Sequence, residues 1–248
     1  KFGISSSGEL SLNAAQDFEN PQDGNTDNQY LVTIQADDGT NQSTQEVLVD
    51  ITDVNEAPSF SSGDSSLQNE NTTTTGYVAA ATDPEGATLT YSIPNTGADQ
   101  GKFNIDPTTG TLTFLTPPDA ENPTDADGQN DYVVDIQVSD GQNTSVQTVT
   151  VDVSDINEAP EFGNTNTLSI AEGATSPTLQ ASVTDPEGDS ITWSIVGGAD
   201  LSKFGISSSG ELSLNAAQDF ENPQDGNTDN QYLVTIQADD GTNQSTQE

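Results

Sequence analysis

The residues of this chain with chemistry to offer are carboxylates and carboxamides, and they recur at fixed spacing. Asp53-Val54-Asn55-Glu56-Ala57-Pro58 returns 102 residues later as Asp155-Ile156-Asn157-Glu158-Ala159-Pro160. Thr82-Asp83-Pro84-Glu85-Gly86 returns at the same offset as Thr184-Asp185-Pro186-Glu187-Gly188. Asp17-Phe18-Glu19 is matched by Asp119-Ala120-Glu121 and by Asp219-Phe220-Glu221. There is no His and no Cys. That removes disulfides, imidazole or thiolate metal sites, and Ser-His or Cys-His nucleophilic catalysis. Acid–base catalysis by paired carboxylates would need them in one pocket. These carboxylates fall at linkers instead, so the chain reads as not an enzyme.

The elements that position them are repeats. Lys1–Glu46 and Lys203–Glu248 are the same string, 202 residues apart, and the 102-residue offset divides that period into two related halves. Self-similarity at a fixed period marks an array of units in contact with their neighbours. Residues 1–58 read as the C-terminal part of one repeat and 59–160 as a complete repeat. Residues 161–248 read as a repeat lacking its last strand. This framing reads as a window on a longer array; the rival is head-to-tail complementation, one chain's start completing another's end.

Within 59–160 apolar residues alternate with polar ones. Tyr132, Val134, Ile136 and Val138 share one face, as do Val149, Val151 and Val153. The same pattern marks 77–81, 89–93 and 111–115, with weaker strands around Leu67 and at 102–105. Period-two patterning rich in β-branched residues predicts half-buried strands. Breakers separate them at Pro84-Glu85-Gly86, Pro107-Thr108-Thr109-Gly110 and Asp140-Gly141. Seven short strands in about a hundred residues predict an all-β chain of tandem Greek-key β-sandwiches in a linear array. Trp193 lies on the strand equivalent to that of Tyr91 and is expected in the core.

Composition sets further limits. Against 41 Asp and Glu stand 3 basic residues, a net charge of −38. Nucleic acid, which needs Lys and Arg, is excluded as a partner. So is an anionic membrane surface, and no apolar run reaches membrane-spanning length. High charge with 30% hydrophobic residues is also the signature of disorder, against which the strand periodicity argues.

Taken together, the Asp-x-Asn-Glu-Ala-Pro linkers, the Asp-Pro-Glu-Gly turns and the Asp-x-Glu strings resemble the tandem cadherin repeat. Phe103-Asn104-Ile105-Asp106-Pro107-Thr108-Thr109-Gly110-Thr111-Leu112 resembles another segment of that family. The resemblance covers the whole chain, and the cadherin-like repeats of large bacterial surface adhesins are similar in the same way. It implies Ca²⁺ at each linker. At the first it assigns Asp17, Glu19, Asp53, Asn55 and Glu56, with Asp83, Glu85 and Asp140 from the following repeat. At the second it assigns Glu70, Asp119, Glu121, Asp155, Asn157 and Glu158, with Asp185, Glu187 and Asp240. Glu172 takes the early-Glu role for a third. Hard oxygen donors in such number suit Ca²⁺ better than Mg²⁺. Two departures stand out. Ala57 and Ala159 replace the family's second linker Asn, and Glu85 and Glu187 replace an Asp, which leaves two or three ions per linker.

Residues 125–131 look like part of an EF-hand loop, but the first ligand position falls on Pro123 and the terminal Glu is missing. A solvated acidic loop is the expectation there. Asn-x-Ser/Thr triplets begin at Asn41, Asn71, Asn143 and Asn243. The resemblance implies an extracellular, cell-surface location and a calcium-stiffened spacer of a repetitive adhesin. Its partners would be neighbouring repeats. The alternatives are a module binding carbohydrate or protein, and a filament subunit associating head-to-tail or laterally.

Overall fold

The computed structural model describes residues 1–163, 167–174 and 178–248. Two compact units are present, residues 1–118 with 124–153, and residues 119–123 with 154–248. The described residues form strands, turns and two short 3₁₀ turns, with no α-helix.

Seven strands build the complete sandwich of the first unit. Phe103–Ile105, Thr111–Phe114 and Thr74–Val78 form one sheet in that order. Ser65–Asn69, Thr144–Ser154, Asp131–Ser139 and Thr90–Ser92 form the other. The predicted alternation sets the packing. Tyr132 faces Val151 and Val134 faces Val149 across the antiparallel pair, and all four are buried. Phe103 and Phe114 stack with centroids 4.7 Å apart, and Tyr132 meets Phe114 edge-on at 5.2 Å. Such offset and edge contacts add to the area each ring buries.

Sharp turns hold the sheets in register. The Asp106 carboxylate accepts the amides of Thr108 and Thr109 at 2.9 and 2.7 Å. The turn ends at Gly110, whose φ is +70° and whose carbonyl accepts the Ala79 amide at 2.8 Å. A Cβ at Gly110 would lie 2.3 Å from the Ala79 carbonyl oxygen.

The second unit repeats the plan with a smaller core. Thr178–Gln180, Glu211–Leu214 and Phe204–Ile206 form one sheet; Thr192–Gly197, Thr235–Asp239 and Gln244–Gln247 form another. Trp193 packs against this core, edge-on to Phe162 at 5.9 Å, as expected of a core residue. The last strand is not wholly missing, because its first residues, Gln244–Gln247, are paired. The counterpart of Ser65–Asn69 would fall near 167–171, which is not in a strand. In the first unit that strand lies along Thr144–Ser154, where the Asp64 carbonyl accepts the Thr150 amide at 3.0 Å.

The duplicated string separates burial from sequence. Leu214 is 9% exposed, whereas its identical counterpart Leu12 is 38% exposed. Thr178–Gln180 pairs with Glu211–Leu214, and among the described residues Leu10–Leu12 pairs with Phe2–Ile4.

Gly110 and Gly128 separate two costs. At Gly128, φ is +76° and no atom lies within 4 Å of where a Cβ would stand, so Gly128→Ala meets only the left-handed backbone penalty. That penalty is about 1–2 kcal/mol. Gly110→Ala adds a clash with backbone and should cost about 1–3 kcal/mol more. Denaturant unfolding of the two variants checks this, and equal losses would contradict it.

Candidate metal centre

At the first linker, three short segments meet around Asn55. The Asn55 carboxamide donates to the Asp140 carboxylate at 2.6 Å and to the Glu56 carbonyl at 2.9 Å. The Glu56 amide donates to the Glu85 carboxylate at 3.1 Å. Asp140 itself is fixed by the amides of Gln142 and Asn143, both 2.6 Å from its Oδ1. Asp83 anchors its own turn by accepting the Ala87 amide at 3.0 Å. Carboxylate oxygens of Glu19, Asp53 and Glu85 lie within 4.8 Å of one another.

The second unit reproduces this arrangement. The Asn157 carboxamide donates to Asp240 at 2.9 Å, and the Glu158 amide donates to Glu187 at 3.2 Å. Glu121, Glu158 and Glu187 gather within 4.8 Å, and Asp155 comes equally close to Glu121. Asp185 accepts the Asp189 amide at 2.8 Å. Further along, Glu172, Asp219 and Glu221 form another such group, with Glu172 accepting the Phe220 amide at 3.3 Å.

Two other expected ligands serve the backbone. Asp17 and Asp119 close local turns by accepting the amides of Asn20 and Asn122 at 3.0 and 2.9 Å, and neither joins a group of acids within 4.8 Å among the described residues. Glu70 is buried in the first unit.

The carboxyls register their crowding. Glu56 is pushed from its ordinary 4.5 up to about 7, chiefly by hydrogen bonding to Glu85, then by desolvation and by the charges of Glu19, Glu85 and Asp53. Glu85 is held low by the same bond and by the Glu56 amide. Desolvation, with Asp53, Glu85 and Asp17 nearby, raises Glu19. Asp140 is lowered by the Asn55 carboxamide and the amides of its loop.

The donor set passes a test of fit for a hard cation. Asp83 Oδ2 and Glu85 Oε2 are buried without a hydrogen-bond partner, and so are Asp185 Oδ2 and Glu187 Oε2. Buried carboxylate oxygens need compensation, and a cation bound by oxygens supplies it.

Several acids serve the backbone instead. Asp99 is 5% exposed and accepts the amides of Ala126 and Val133 at 2.7 and 2.8 Å; Asp200 does the same for Gly226 and Leu233. The 125–131 loop is not simply solvated. Asp125 is buried, accepts the amides of Gln129 and Asn130, and lies within 4.8 Å of Asp127 and Asp131. Sequence reasoning also missed Asn143 and Asn243, whose carboxamides donate to the linker carbonyls of Asn55 and Asn157 at 2.7 and 2.6 Å. The available signal was Asp-Gly-x-Asn at the same point of each repeat, at Asp38, Asp140 and Asp240, with a fourth copy at Asp127 in the 125–131 loop.

Residues 55–153 match a family model described as a bacterial Ig domain. Human protocadherin-15 is 39% identical over 113 residues, 43% of this chain and 5% of that protein. Human protocadherin gamma-C4 is 30% identical over 192 residues, 70% of this chain and 20% of that protein. The solved extracellular domain of protocadherin gammaB4 covers all of the chain at a TM-score of 0.53 and 26% identity, the chain covering 40% of it. In each case the chain is similar to cadherin-like repeats. The chain spans a fifth or less of the two protocadherins it matches in sequence. The described residues carry the all-β sandwich expected from the strand pattern.

The Glu56–Glu85 pair has a pH signature in metal-free protein. A folded pKa raised above the unfolded value means the native state binds the extra proton. The stability it contributes is full below about 4.5 and is lost as pH rises through about 7. The melting temperature of the chelator-treated chain, measured against its Glu56→Gln variant, should fall across that window. A flat difference would remove the shared proton.

Proposed function

We propose that the chain is a calcium-stiffened spacer segment of a repetitive extracellular adhesin, projecting a distal binding domain from a cell surface. The repeat limits in this reading are 1–58, 59–160 and 161–248. The observation that carries it is the recurrence, at both linkers, of buried carboxylate oxygens without partners on the Asp-Pro-Glu-Gly turns. Glu19, Asp53, Asn55, Glu56, Asp83, Glu85 and Asp140 would hold calcium at the first linker. Their counterparts at the second would be Glu121, Asp155, Asn157, Glu158, Asp185, Glu187 and Asp240, with Asp17, Asp119 and Glu70 in the family's remaining roles. Glu172, with Asp219 and Glu221, would serve a third. Bound calcium supplies the positive charge that a chain with 3 basic residues lacks.

The spacer reading is favoured over recognition of a glycan by where the aromatics lie. Among the described residues Phe220 is the one exposed aromatic of 14, so no aromatic platform is assembled. A spacer also tolerates exact duplication, as in Lys1–Glu46 and Lys203–Glu248, because its output is length. The reading is non-enzymatic, in keeping with carboxylates placed at linkers. No described helix is long and apolar enough to cross a membrane.

Small-angle scattering and thermal melting of the chain, in calcium and then in chelator, test the proposal. Chelation should lower the melting temperature and shift the scattering toward that of a flexible chain. Glu85→Gln should weaken calcium binding at the first linker by about tenfold or more, since ligand charge sets affinity. If chelation leaves shape and melting unchanged, the carboxylates are surface charge and the spacer needs another source of stiffness.

A further inference from the structure

The hydrogen bonds around the first linker are unevenly distributed along it. Ile51 is the last residue tied backward, its amide donating to the Asn28 carbonyl at 3.0 Å. Thr52, Asp53 and Val54 follow, all exposed, and make no hydrogen bond among the described residues. From Asn55 onward every residue but one is gripped. Asn143 Nδ2 donates to the Asn55 carbonyl at 2.7 Å, and Gln142 Nε2 donates to Asn55 Oδ1 at 3.2 Å. The Asn55 carboxamide reaches Asp140, and the Glu56 amide reaches Glu85. Pro58 is fully buried, and its carbonyl accepts the Ser145 hydroxyl at 2.6 Å. Every one of these partners belongs to the sandwich that follows the linker.

The grip recurs in the second unit. Asn243 donates to the Asn157 carbonyl at 2.6 Å, Asn157 donates to Asp240 at 2.9 Å, and Pro160 is fully buried. The linker Ser154–Pro160 likewise groups with the residues that follow it. Two independent copies of the same contacts, with Gln142 replaced by Thr242, single out the asparagine as the shared part.

We infer that Asn143 and Asn243 are positioning residues that clasp each linker to the sandwich after it without any metal, and that the first linker pivots at Thr52–Val54. The clasp uses neutral carboxamide donors on backbone carbonyls, so it does not depend on neutralising the carboxylates. Each such bond is strong because its carbonyl would otherwise be left partly desolvated. The linker asparagine and glutamate are thus held in place before a cation arrives, and motion without metal is confined to three residues. The commitment of Asn143 and Asn243 to this clasp also accounts for two of the Asn-x-Ser/Thr triplets without modification.

Backbone ¹⁵N relaxation on the whole chain in chelator reads this directly. The two linkers differ at Val54 and Ile156, which lets their resonances be told apart. Asn55–Ala57 should show order parameters of about 0.8, as in rigid backbone, and Thr52–Val54 values below about 0.6. In Asn143→Ala, Asn55–Ala57 should fall toward the Thr52–Val54 values while the amides of the core strands Asp131–Ser139 and Thr144–Ser154 keep rigid-backbone order parameters. Asn143→Asp, which keeps the shape and loses the donor, should behave the same way. Uniform mobility from Thr52 to Ala57 in the wild type would overturn the inference. So would an Asn143→Ala variant whose linker stays rigid. Because the measurement is made without calcium, its failure leaves the calcium reading standing.

Discussion

Repulsion among carboxylates gathered at the linkers is the constraint on which the rest depends. Two unit charges about 4 Å apart repel by about 1 kcal/mol in water and about 4 kcal/mol near a protein surface. With three cationic side chains in the sequence, the chain cannot pair its acids internally. It answers the problem in other ways. Hydrogen bonding to Glu85 pushes the Glu56 carboxyl up, and backbone amides and carboxamides converge on Asp140 and Asp240. The oxygens still unmatched, on Asp83, Glu85, Asp185 and Glu187, are those a cation would complete.

The sandwiches tolerate such a cluster because their cores owe nothing to it. Tyr132, Val134, Ile136, Val138, Val149 and Val151 are essentially inaccessible to solvent, and none of them carries a charge. Each sandwich then exposes loops whose conformations are set by local acids: Asp106 in one turn, Asp99 beneath the 125–131 loop, Asp83 and Asp140 at the linker. Acidic residues here do two jobs. Some terminate backbone hydrogen bonds inside the domain, and others stand where repeats join.

Much of this was legible in the sequence. Period-two alternation marked the main strands of the complete sandwich, the one expected at 77–81 lying instead at Thr74–Val78, and the offset to Tyr91 placed Trp193 on a core strand. The linker acids were visible as repeated strings. What stayed hidden depended on partners remote in sequence. Asn143 looks like a loop asparagine until Asn55, 88 residues away, is brought beside it. Asp99 and Asp125 look like surface charge until the backbone amides that donate to them are brought beside them. Pattern reports which face a side chain takes, and only the assembled fold reports what covers it.

The most direct test of the calcium account is a crystal structure grown in calcium, with anomalous scattering used to locate the ions. The account predicts a peak bounded by Asp83 Oδ2 and Glu85 Oε2, with Glu19 and Asp53 in reach, and a second bounded by Asp185 Oδ2 and Glu187 Oε2. Linkers with no anomalous peak, their carboxylates hydrated or protonated at neutral pH, would contradict it.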